Sequence, residues 1–197
     1  MRSEEQSGGT VRIALVTGNR HKLEEITRLA RSRRIKFYMA SVPKIEIQSD
    51  SLEEIALTSA RHAFEIIKAP LAVDDSGLFV EALNGFPGPY SSYVYKTIGP
   101  EGVLRLLHGE ENRRACFVTV AALILPPIEK VFRGTICGTI ADRPRGDKGF
   151  GFDPIFIPQG ERRTYAEMSL EEKNKTSHRS RAFTSLINFL ERLYEAQ

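Results

Sequence analysis

Val11 to Thr17 (VRIALVT) is a continuous apolar run. Continuity without alternation predicts a strand covered on both faces. Gly18-Asn19 breaks the run, and the period then changes. Leu23, Ile26, Leu29 and Ala30 share one helical face, with Glu24, Glu25, Arg28 and Arg31 mostly opposite. Lys36 to Ala40 reads as a second strand. Ser51 to Glu54 has the S-x-x-E form of a capping box. It opens a helix that turns Leu52, Ile55, Ala56, Ala60, Ala63, Phe64 and Ile67 inward. Pro70 closes that segment, Leu71 to Asp74 is the next strand, and Asp74-Asp75 deliver two acids onto a Ser76-Gly77 turn.

Further along, Asn84 to Tyr90 (NGFPGPY) is a turn-rich loop. Pro100 opens a short helix carrying Val103, Leu104, Leu106 and Leu107, which Gly109 ends. Ala115 to Leu125 and Lys130 to Ala141 read as two long strands joined through Pro126-Pro127-Ile128-Glu129, a hairpin. A basic, glycine-containing loop spans Arg143 to Gly151. Ser169 to Glu172 is another capping box, and the last helix carries Phe183, Leu186, Ile187, Leu190 and Leu193 on one stripe. The pattern predicts a mixed α/β domain over residues 11–197, preceded by a flexible polar tail over residues 1–10.

A length of 197 residues suits one domain, with room for two lobes. A net charge of +3, from 28 basic and 25 acidic residues, is too balanced to argue for a nucleic-acid partner. No apolar run reaches membrane-spanning length and no signal peptide opens the chain, so a cytoplasmic protein with no membrane partner is expected. Cys116 and Cys137 fall in neighbouring strands. Two cysteines do not make a disulfide framework, and buried reduced thiols are the default in the cytosol.

Four constellations carry candidate chemistry. Thr17-Gly18-Asn19-Arg20-His21-Lys22 lies where a buried strand becomes a helix, so unpaired backbone N–H groups and the helix dipole favour an anion. Lys22 in the first turn wants that anion as compensation. Glu46, Asp74 and Asp75 are three carboxylates from two segments that could share one Mg²⁺, an ion that takes oxygen ligands. In Gly149-Phe150-Gly151-Phe152-Asp153-Pro154, glycines let the backbone approach a flat ligand, and an aromatic face could stack on a base. Lys173, His178 and Arg179 frame the start of the last helix, where Ser177 can act as cap and Arg179 can read a polar ring edge. Each piece also has a plain structural use as a helix cap, a turn, a core aromatic pair or a solvated basic helix start.

In this order the pieces resemble the inosine triphosphate pyrophosphatase (RdgB-like) family over roughly residues 11–195. The matching residues are T-G-N-x-x-K from Thr17, the acid of E-I-Q (Glu46), D-D-S-G-L from Asp74, G-F-P-G-P-Y from Gly85, F-G-F-D-P from Phe150, Y-A-E-M from Tyr165 and E-K-N-x-x-S-H-R from Glu172. The resemblance implies an elongated mixed sheet with two lobes around a central cleft, and a homodimer. It implies hydrolysis of ITP, dITP and XTP to the monophosphate and pyrophosphate, as a cleansing of the nucleotide pool. Thr17, Asn19 and Lys22 would hold phosphates. Glu46 and Asp75 would ligate Mg²⁺, and Asp75 would also activate or orient water, with Asp74 behind it. Ser76 would contact substrate. Phe150, Gly151, Phe152 and Asp153, with Lys173, His178 and Arg179, would form the nucleoside pocket.

The chain departs from the family pattern at Ser59, where many members carry a lysine, and at Ser92, where human-like members do; one or two phosphate contacts are then lost or supplied by another group such as Arg61. Phe152 stands where Trp or Tyr is frequent. Two other readings compete. A Maf-like pyrophosphatase is disfavoured by the E-K-N-x-x-S-H-R ending. A non-catalytic nucleotide or RNA-binding module using Arg143 to Lys148 would gain nothing from the carboxylate set.

Overall fold

The computed structural model describes residues 10–43, 45 and 47–195. Residues 1–9 of the expected tail and the expected metal ligand Glu46 lie outside them. Strand β1 (Val11–Val16) is the expected apolar run, with its last four residues buried. Helix α1 (Arg20–Leu29) follows, capped by Asn19, whose side chain accepts the His21 and Lys22 N–H groups. Strand β2 (Ile35–Ala40) pairs parallel to β1. Helix α2 (Leu52–Ile67) then leads to β3 (Leu71–Val80), also parallel to β1.

From β3 onward the pairing is antiparallel. Strand β4 (Pro87–Gly88) touches β3 briefly, and helices α3 (Ser91–Thr97) and α4 (Gly99–Leu106) follow. The long hairpin is β5 (Arg114–Leu125) and β6 (Ile128–Ile140), succeeded by β7 (Phe156–Pro158), α5 (Leu170–Thr176) and α6 (His178–Glu195). The sheet order is β2-β1-β3-β5-β6-β7, with β4 on β3. At Ser169 both halves of the capping box form, whereas at Ser51 only the forward half does; there Glu54 takes the Ser49 hydroxyl instead.

Both faces of β1 are covered, which is why its sequence does not alternate. Ile13 and Leu15 pack with Ile26, Phe183, Leu186 and Leu190 under α1 and α6. Ala14 and Val16 pack with Leu52, Ala56 and Ala60 under α2. A third core joins Val94, Val103, Phe117, Ile136, Phe156 and Tyr165 around the far half of the hairpin. The first two cores make one lobe and the third makes the other, as the resemblance implied.

Four expectations are corrected. Asp74 to Gly77 is not a turn: the strand runs on to Val80, with Asp74 opposite Ala121, Asp75 opposite Val120 and Gly77 opposite Val118. Strand β5 offers an unbroken partner edge, and Gly77 serves close approach, since a Cβ there would strike the Gly88 carbonyl of β4. Helix α3 was not anticipated. Its residues, S-S-Y-V-Y-K-T, are mostly weak helix formers, but the buried Ser91 hydroxyl donates to Gly88 O at 2.7 Å and accepts the Leu78 N–H at 2.8 Å, and this fixes the turn. Glu25 is buried rather than on the solvated face of α1. The cysteines are not free thiols, because Cys116 and Cys137 form a disulfide across directly opposed positions of β5 and β6. A turn over residues 126–129 would pair Leu125 with Lys130 and put Cys116 opposite Thr139. The observed pairing of Leu125 with Ile128 brings the two sulfurs together.

Gly134 of β6 lies beneath the start of α6, and a Cβ there would collide with the His178 carbonyl and the Ala182 nitrogen. Gly134→Ala is therefore expected to destabilise by about 1–3 kcal/mol, the usual range for overpacking. At about 2–4 °C per kcal/mol for a chain of this size, that lowers the melting temperature by roughly 2–12 °C. Thermal denaturation checks this; an unchanged transition would refute the contact.

Candidate active site

A cavity of about 650 Å³ opens between the lobes. Asn19 and Lys22 of the β1–α1 junction, Asp75 and Ser76 of β3, Ser92 and Lys96 of α3, the 150–153 loop, Lys173 of α5, and His178 and Arg179 of α6 all line it. Its walls thus come from both lobes and from both sides of β3.

Behind one wall lies a buried charge network. Glu25 accepts the Lys173 ammonium at 2.8 Å and the Arg179 guanidinium at 2.6 Å. Lys173 also reaches Asp153 at 2.6 Å. Arg179 Nε meets Asp74 at 3.3 Å, and Lys22 Nζ meets the same carboxylate at 3.0 Å. Strand alternation separates the two adjacent acids: Asp74 is buried, while Asp75 is half-buried on the cavity. Burial would raise the Glu25 carboxyl, but the charges and hydrogen bonds of Arg179 and Lys173 outweigh it and hold the group below its ordinary value. Burial pushes the Asp153 carboxyl up, against the opposing pull of Lys173 and the Phe150 N–H.

Three of the five N–H donors of Arg179 are engaged, by Asp74, Glu25 and Ser76 Oγ. The guanidinium is thereby fixed in orientation with donors to spare. His178 stacks on Phe117 with centroids 4.5 Å apart and rings 10° from parallel. Burial, with the nearby Arg179 and Lys173 charges, drives its imidazole well below the ordinary histidine value, so it is neutral near pH 7. Phe152 is buried at the cavity wall, edge-on to Tyr95. Phe150 carries Lys173 and Arg179 over its ring and stacks on His21.

Of the residues singled out in the sequence, Asn19, Lys22, Asp75, Ser76, Phe150, Gly151, Phe152, Asp153, Lys173, His178 and Arg179 line the cavity. Thr17, Gly18, Arg20 and His21 do not. The helix N–H groups expected to be open to an anion are partly taken: Asn19 Oδ1 accepts from His21 and Lys22, and Thr17 Oγ1 accepts from Asn19. Arg61 is no stand-in for a missing lysine, because Glu129 holds it in a forked pair away from the cavity. Ser59 is buried and donates to Ile45 O. Glu25 and the α3 wall were missed. For Glu25 a signal existed: it lies three residues after Lys22 and beside Ile26, on the inward side of the helix.

The network sets an acid limit. Glu25 has a depressed folded value, so its contribution is present above about pH 4.5 and is lost as the pH falls through that folded value. His178 is also depressed: the unfolded chain takes up a proton that the folded chain refuses, so stability declines as the pH drops below about 6.5. Glu25→Gln leaves two buried cations short of one anion and is expected to cost about 3–5 kcal/mol near neutrality. Melting curves of both proteins between about pH 8 and pH 3 should show a gap that narrows below about pH 4.5. A gap independent of pH would show that the charge on Glu25 is not what matters.

Comparison with known proteins agrees with this geometry. The chain is 51% identical over 178 residues to a protein of Hyperthermus butylicus named dITP/XTP pyrophosphatase, covering 90% of this chain and 94% of that one. It is 50% identical over 187 residues to the protein of the same name from Saccharolobus solfataricus, covering 95% and 97%. The structure of a HAM1 protein from Coxiella burnetii superposes with a TM-score of 0.83 at 37% identity, over 92% of this chain and 99% of that one. The sequence profile of the Ham1 family matches residues 13–189, and with these relatives across nearly its whole length, the chain belongs to the Ham1 family.

Proposed function

We propose that the protein hydrolyses noncanonical purine nucleoside triphosphates, namely ITP, dITP and XTP, to the monophosphate and pyrophosphate, as a Mg²⁺-dependent cytoplasmic homodimer. The observation that carries this reading is the shared cavity, which holds Asp75 and Lys22 together with Arg179, His178 and Phe152. One enclosure thus offers groups for a phosphate tail and groups for a flat polar base. The names of the relatives support the substrate class. No helix among the described residues is long and apolar enough to cross a membrane.

Water adds to the α-phosphorus, the bond to the bridging oxygen breaks, and pyrophosphate leaves. Such a reaction depends on positioning and charge neutralisation more than on covalent catalysis. Asp75 orients the water and takes up its proton. Lys22 and the Asn19 amide contact the tail, and Ser76 holds Arg179 in place. Mg²⁺ fits the donor set: Asp75 presents hard oxygens to the cavity, and phosphate-handling sites bind this ion through one or two carboxylates plus substrate oxygens. Glu46, which lies outside the described residues, would be the second acid, as the family resemblance implies. When bound, the ion supplies charge neutralisation on the phosphate oxygens.

The test is release of pyrophosphate from ITP with and without Mg²⁺. IDP and orthophosphate as first products would overturn the reading. Asp75→Asn should keep its fold and lose about 10²–10⁴-fold in turnover, the range for a lost general base. Wild-type rates in that variant would remove Asp75 from its role.

Base choice follows from the donors at Arg179. Hypoxanthine and xanthine present a 6-keto oxygen that accepts, whereas adenine presents an amino group, leaving donor against donor in a buried site. ITP and XTP should exceed GTP in kcat/KM, and GTP should equal or exceed ATP, all at equal free Mg²⁺. ATP turned over as efficiently as ITP would show that the keto edge is not read.

A further inference from the structure

We propose that Lys96 of α3 is a phosphate-tail contact, the cation that meets the departing pyrophosphate. This rests on the pyrophosphatase reading above. Lys96 lines the cavity, exposed, in the last turn of α3. Ser92, one turn earlier on the same helical face, also lines it. The helix cannot swing freely: Ser91 bonds both Gly88 O and Leu78 N, and Val94 is buried in the core of its lobe. Leu78 lies three residues beyond Asp75 on β3. The frame that carries Lys96 is therefore bolted to the strand that carries Asp75.

Charge supplies the second half of the argument. Lys22 is paired with Asp74, Lys173 with Glu25 and Asp153, and Arg179 with Glu25 and Asp74. These three cations face three carboxylates, and Asp75 adds a fourth. The inner wall therefore has no positive surplus with which to meet a triphosphate. Among the described residues lining the cavity, Lys96 is a cation with no ion pair. Its ammonium, on a long flexible stem, can follow the tail. The tail is the anionic part of the substrate, and its outer phosphates carry most of the charge that must be met as they leave.

The experiment compares wild type, Lys96→Met and Lys96→Arg in steady-state hydrolysis of ITP, with product inhibition by pyrophosphate and by IMP. Lys96→Met should raise KM for ITP about tenfold with kcat changed little, because the tail is charged in the bound substrate as well as in the transition state. Inhibition by pyrophosphate should weaken to a similar degree, while inhibition by IMP stays as in wild type. The wild-type KM should rise with salt more steeply than that of Lys96→Met, and Lys96→Arg should restore most of the affinity. The side chain is exposed, so the melting temperature should not move. An unchanged KM, or equal weakening toward IMP and pyrophosphate, overturns the assignment while wild-type turnover of ITP still stands. A wild type that releases no pyrophosphate overturns the underlying reading and this proposal with it.

Discussion

The molecule turns on the contact of Glu25 with Lys173 and Arg179. It ties α1 to α5 and α6 across 148 and 154 residues of chain, and does so with both cations and the acid about 3% exposed. A buried ion pair is weak evidence for stability, because desolvating the charges offsets most of their attraction. What such a network does provide is direction. Glu25 and Asp74 grip Arg179 from two sides, Ser76 takes a third donor, and Lys173 is held between Glu25 and Asp153. Donors fixed in this way need no reorganisation when a ligand arrives. Removing one acid leaves the fold with an uncompensated cation and the site with a loose guanidinium.

The sheet explains where this network had to form. In the order β2-β1-β3, the connection from β1 runs through α1 on one face, and the return to β3 runs through α2 on the other. A crevice opens outside the end of β1 where the connections diverge, the usual ligand position in open α/β sheets. Asn19 and Lys22 stand there. Beyond that point β3 continues as an antiparallel partner of β5, and its extension carries Asp75 and Ser76 out along the crevice. One strand thus serves as floor for the parallel lobe and as link to the hairpin lobe. That double role is why the site is lined from both.

Periodicity made much of this legible. The β1 run, the α2 stripe, the long hairpin and the α6 stripe are long signals whose burial is decided within the element itself. The failures share a different cause. The D-D-S-G segment has turn composition, but its conformation is set by β5, some 45 residues later. The α3 segment has strand composition, and its helical start is fixed by Ser91, bonded to the nearby Gly88 carbonyl and to the more distant Leu78 N–H. The disulfide depended on a register that shifts by two residues with the length of the Pro126-Pro127 turn. Helical periodicity sets Glu25 mostly opposite the apolar face of α1, and the cations that draw it inward lie at residues 173 and 179. The cavity wall around Phe152 and Arg179 was readable because its motif residues are close in sequence and unusual in type. Tyr93, Tyr95 and Lys96 carry no such mark.

The two ends of the cavity differ physically, and under the proposed reaction this suits them to different work. Around Arg179 and His178 the side chains are buried, ion-paired or stacked, and the imidazole is neutral. A rigid, dry site is costly to mispair, so it suits discrimination between bases that differ by one donor or acceptor. Around Asp75 and Lys96 the side chains are half-buried or exposed. A wet, adaptable site screens charge and tolerates movement, which suits a highly charged tail that must enter and then leave in two pieces. Substitutions in the Glu25, Asp153 and Asp74 support should therefore alter which base is accepted, whereas substitutions along α3 should alter how tightly any triphosphate is held. The division follows from burial, because the same hydrogen bond that discriminates in a dry pocket is nearly neutral where water can replace it.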